Sequence, residues 1–109
     1  MIRELLTDKD IQIIRECLEA AVKGPFFPDW ETHSLIGLEK CEIQALSKVW
    51  WEERIESPKL ALAVNNVLVN LLHYSHGEEK TWSSFISVSP GEPGLLYRRI
   101  RPYLDKLIQ

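Results

Sequence analysis

The hydrophobic pattern predicts an all-α protein: a compact single-domain helical bundle of four to five helices, spanning residues 1–109, around a buried central helix at about 57–76. Three observations carry this. Apolar residues recur at three- and four-residue spacing in several separate stretches, the signature of helices with one face turned inward. Strict apolar–polar alternation, the mark of a half-buried strand, is missing, which disfavours α/β layering. The stretch from Ser57 to His76 is apolar almost all round, as suits a helix surrounded by other elements.

Composition agrees. A chain of 109 residues suits one domain with a core of its own. Hydrophobic residues are 45% and charged residues 27%, ordinary values for a globular protein and well away from disorder.

The first helix follows Thr7, an N-cap residue, with Asp10 three residues on as a weak version of the capping box. Ile11, Ile14, Leu18, Ala21 and Val22 share one face; Gln12, Arg15, Glu16, Glu19 and Lys23 share the other. Gly24 is the natural stop. The segment Gly24–Leu38 holds two prolines and two glycines, which forbid one regular element. It also holds Phe26, Phe27 and Trp30, too much apolar surface for a solvated loop. Asp29 is positioned to cap a short helix from Trp30 to about Ile36, ended by Gly37.

A second long helix is expected from Leu38 to about Ile55, with Leu38, Ala45, Leu46, Val49 and Trp50 inward. Glu42 falls near the middle of that face, either capping the first turn or pointing inward. Ser57 caps the central helix and Pro58 occupies its first position, where a missing N–H costs nothing. Gly77 ends it. Within this helix Lys59, Asn66, Asn70 and His73 form one narrow polar stripe, expected near water. Asn65 falls on the apolar side, where a buried amide needs a partner; a backbone group of the aromatic segment or of another helix end is the expected one.

Residues from Gly77 to Gly94 read as a loop, holding either one helical turn of Trp82, Phe85 and Ile86 started by Thr81 or a short extended piece from Phe85 to Val88. A last helix begins near Pro93. Leu96, Ile100, Tyr103, Leu104 and Leu107 keep helical spacing through Pro102, where a kink or brief break is expected.

Cys17 and Cys41 both fall at apolar-periodic positions and read as buried, reduced thiols rather than a disulfide framework. The N-terminal residues hold no apolar run of signal length, and the run Leu60–Leu72, interrupted by three asparagines, is too short to span a bilayer. The expected location is cytoplasmic, with no membrane partner.

Charge is uneven. Residues 1–56 carry seven Lys/Arg against twelve Asp/Glu, and residues 57–109 carry six against four. The positive excess lies in Arg98, Arg99, Arg101 and Lys106. A patch this small, in a chain of net charge -3, does not suit nucleic acid.

No motif specifies an activity. A Gly-rich phosphate loop, a Cys-x-x-Cys pair and a Ser/His/Asp arrangement are all missing, so no catalytic residue and no cofactor is assigned. The leading expectation is a non-catalytic protein that works through protein contacts, with a second copy of itself as one candidate partner. Phe27, Asp29, Trp30, Glu31 and His33 offer aromatic shape and polar contacts. Trp51, adjacent to Trp50 and about 100° from it on a helix, is an interface anchor by residue type. Asn66 and Asn70 on the polar stripe, with Arg98 and Arg101, complete the candidate binding surface. The alternative is a metal- or small-ligand-binding protein, or a small hydrolytic enzyme. His73 and His76, three apart, would face one metal ion together with His33, against the ordinary use of such histidines at a helix C-terminus.

Overall fold

The structure, a computed structural model, describes residues 2–49, 57–73, 77 and 79–108. Among these it is all-α, with no strand. Six helices follow a short 3-10 turn at Ile2–Leu5: α1 (Asp8–Lys23), α2 (Asp29–Ile36), α3 (Lys40–Val49), α4 (Pro58–His73), α5 (Trp82–Phe85) and α6 (Gly91–Ile108). A 3-10 turn at Glu79–Thr81 leads into α5, itself a single turn. The radius of gyration is 12.6 Å, against roughly 13 Å for a folded chain of this length. No helix among the described residues is long and apolar enough to cross a membrane.

The central helix is central. α4 packs most extensively on α6, then on α1 and α2, and α1 also receives α3. Leu60, Ala61, Ala63, Val64, Val67, Leu68 and Leu71 are all buried. Alanines at 61 and 63 let neighbouring helices come close, and the larger residues fill the space between. Pro58 opens α4, and the Leu60 N–H reaches the Ser57 hydroxyl at 3.4 Å, a long cap contact.

The Thr7 box is complete. Thr7 accepts from the Asp10 N–H at 3.1 Å, and Asp10 accepts from the Thr7 N–H at 3.0 Å. Asp10 also receives Arg99 of α6 at 2.9 Å, so one carboxylate both starts α1 and ties it to α6. Gly24 ends α1 without a left-handed turn. Its need is space: a Cβ there would stand 2.8 Å from the Ala20 carbonyl oxygen and 2.8 Å from the Phe26 ring.

Several expectations are corrected. α3 turns Ile43 and Ser47 into the core and leaves Ala45 exposed. Ser47 tolerates burial because its hydroxyl donates to the Gln44 carbonyl at 2.7 Å. Cys17 is buried but Cys41, in the first turn of α3, is exposed. α6 starts at Gly91 and continues through Pro102 as one helix. Leu96, Ile100 and Leu104 are its buried stripe, while Tyr103 stands exposed. The readings of Trp50, Trp51, Ile55 and His76 lie outside the described residues.

Phe26 and Phe27 are both buried in the core. Phe26 meets Trp82 and Phe85 edge-on, with ring centroids 6.0 and 5.8 Å apart. Trp82 in turn donates its indole N–H to the Val88 carbonyl at 2.7 Å.

Candidate functional site

α2 is short, and its own sequence does little to hold it. Its N-cap is Pro28, which gives no side-chain cap; Asp29 does not cap but pairs with Lys40 at 2.6 Å. The fixation comes from elsewhere. Phe27, one residue before the N-cap, is sunk in the core, and Thr32 and Ile36, four apart on one face, are fully buried. The Thr32 hydroxyl donates to the Pro28 carbonyl at 2.9 Å, so its burial leaves no orphan donor.

The C-terminal end is held by α4. Gly37 stops α2 in the left-handed region at φ +90°, with its N–H on the His33 carbonyl at 2.8 Å. The last carbonyls of a helix lack partners within it. Asn66 Nδ2 donates to the Ile36 oxygen at 2.7 Å and Asn70 Nδ2 to the Leu35 oxygen at 3.0 Å. Asn70 Nδ2 also reaches the Asn66 carbonyl at 2.8 Å. Two amides one helical turn apart on α4 therefore cap α2 from below. The polar stripe is not left to water; its middle carries α2.

Asn65 has a different duty from the one expected. Its amide donates to Asn66 Oδ1 at 3.0 Å, and its oxygen accepts from the Tyr97 hydroxyl at 2.9 Å. One residue along a helix is about 100° of rotation, so Asn65 faces α6 while Asn66 faces α2. Burial pushes the Tyr97 phenol above its ordinary value.

With Thr32 and Ile36 turned inward, Trp30 is carried about 200° round from Thr32 and stands 78% exposed. The segment divides between core and surface: Phe26 and Phe27 are core, against the surface place expected for Phe27, and Trp30 is exposed. His33 and Ser34, three and four residues on, are exposed on the same side. Ion pairs border this face. Asp29 holds Lys40, and His33 Nδ1 meets Glu39 Oε1 at 2.7 Å. Beside them Glu42 accepts the Glu39 N–H at 3.1 Å and pairs with Lys59 at 2.8 Å. Lys59 first, and then the Glu39 N–H, hold the Glu42 carboxyl below its ordinary value. Glu42 is thus a cap and a surface partner, not an inward charge.

The remaining candidate residues fall as follows. Phe27 is buried and lines no surface, and Glu31 is half-buried on α2. Asn66 and Asn70 spend their amides inside the fold. Arg98 and Arg101 are exposed on α6, with Arg101 3.8 Å from Asp105. His73 ends α4 in an exposed position. Among the described residues, no three His, Cys, Asp or Glu side chains converge where they could hold a metal ion. The sequence does not single out Glu39 and Lys40, although they lie two and three residues past the stop at Gly37, where a chain reversal brings the following side chains back beside the helix just ended.

No protein-family model, curated protein or solved structure matches this chain.

Proposed function

We propose that this chain is a non-catalytic protein-contact module that engages its partner through the outward face of α2, with Trp30 as the anchor. The observation that carries the reading is the pairing of extreme exposure with fixed support. An indole 78% exposed forgoes much of the burial that its size would supply. Yet the helix that presents it is capped by Asn66 and Asn70 and seated on Thr32 and Ile36. A tryptophan held out by a preorganised element loses little conformational freedom on binding, the condition under which an aromatic anchor contributes most. The surrounding ion pairs supply the polar rim that such interfaces carry.

The partner offers an apolar pocket wide enough for an indole, edged with groups that pair with exposed Asp29, His33 and Glu39. A second copy is one candidate, since Arg98 and Leu95 are both exposed on α6. A photo-crosslinking amino acid at exposed Ser34, beside the intact Trp30 on the same face of α2, compared with one at exposed Glu19 on α1, tests the reading in cells. The expected result is a discrete crosslinked protein from position 34 and none from position 19. Its mass separates a second copy from a different protein. Equal labelling from both positions, or none from either, would overturn it.

A further inference from the structure

On a different part of the molecule, a cleft of about 470 Å³ opens between the end of α4 and the chain around α5. That volume lies in the range of small-molecule sites. Leu72, Trp82, Ile86 and Val88 give it apolar walls; Ser83 and Ser89 add hydroxyls that can donate or accept, and Glu79 and Ser87 add a carboxylate and a committed acceptor. We propose that this cleft binds a small organic cation: an apolar body against the walls and a primary ammonium at Glu79 and Ser87.

The walls are preformed. Trp82 is fixed by its N–H on the Val88 carbonyl. Ser87 is fixed by Glu16 of α1, whose Oε1 accepts the Ser87 N–H at 2.7 Å and whose Oε2 accepts the Ser87 hydroxyl at 3.1 Å. This arrangement sets the chemistry of the ligand. A hydroxyl that gives its proton to a carboxylate keeps only its lone pairs for a visitor, so Ser87 acts as an acceptor. Glu79 is an acceptor when ionised, and among the described lining residues it is the single ionisable group. Glu16 stands behind Ser87 and adds a second negative charge. The indole N–H, which would have donated to an anion, is already used. Acceptors and negative charge on an apolar cleft select a cationic donor over an anion.

The test is a titration of the intact chain with 1-naphthylmethylamine, 1-naphthylmethanol and 1-naphthaleneacetate, followed by nitrogen–proton correlation spectra. At roughly millimolar probe, the amine should shift the Trp82 indole and Ser87 amide signals in a saturable way. The alcohol should bind more weakly and the acetate more weakly still. Glu79→Gln, at an exposed position, should cost the amine about three- to fivefold and leave the alcohol unchanged. No saturable shift at Trp82 and Ser87, equal binding of the three probes, or an amine affinity untouched by Glu79→Gln would each overturn the assignment.

Discussion

The Asn66 side chain donates to the Ile36 carbonyl oxygen at 2.7 Å, thirty positions away in the chain. This contact joins the central helix to the end of the short helix that displays Trp30. Asn70 repeats it one turn along at Leu35.

Asn66→Ala and Asn70→Ala each strand a carbonyl at the end of α2. Each should cost about 1–3 kcal/mol, seen as a melting temperature lower by several degrees. The loss should be local as well as global. Amide hydrogen exchange should accelerate in α2 more than in α6. Uniform acceleration across both helices would contradict the capping role.

Phe27 and Trp30 lie three residues apart and should behave oppositely. Phe27→Ala empties a fully buried site and should cost about 3–5 kcal/mol by chemical denaturation. Trp30→Ala should change stability by no more than about 0.5 kcal/mol. A large loss at Trp30 would return it to the core.

The two cysteines should separate cleanly under a thiol reagent. Cys41 is exposed and should be modified in the native protein. Burial pushes the Cys17 thiol up to about 12, so it presents almost no thiolate near neutral pH and should react only on unfolding. Native labelling of both, counted by mass spectrometry, would contradict the packing of α1.

Acid should weaken the fold through Asp10 and Glu16. Burial alone would raise both carboxyls. At Asp10 the Thr7 N–H and Arg99 outweigh it, and at Glu16 the Ser87 N–H, Gln12 and the Ser87 hydroxyl do, so both lie below their ordinary values. A lowered value in the folded state adds stability that is present above the ordinary carboxylate range of about 4. It is lost as the pH falls through the folded value. Melting temperature measured from pH 7 to pH 2 should therefore fall at the acid end, and Glu16→Gln should flatten part of that fall. An unchanged acid slope in the variant would remove Glu16 from the account.

The sequence shows the fold class and the core of α4 clearly because both rest on periodicity. Ser57, Pro58, Gly37 and the Thr7–Asp10 box are local signals, and each sits where its chemistry requires. What periodicity does not show is which neighbour an element meets. Asn66 and Asn70 look solvent-facing on the α4 wheel, and only the docking of α2 makes them half-buried partners of its last carbonyls. Trp30 looks like core by residue type, but Thr32, a small polar residue, takes the inward position because its hydroxyl satisfies itself on Pro28. Ile43 and Ser47 displace Ala45 from the inner face of α3 in the same way. Cys41 is exposed for a related reason: it sits in the first turn of α3, on the side away from Ile43.

The most direct test of Trp30 as a displayed anchor is the affinity of the crosslinked partner, identified and purified, for the wild-type chain and for Trp30→Ala. Calorimetry gives the affinity, and a thermal melt of each sample checks the fold. The expected result is a loss of at least about 2 kcal/mol, or roughly thirtyfold, with the melting temperature unchanged. Equal affinity in the two proteins would contradict the claim.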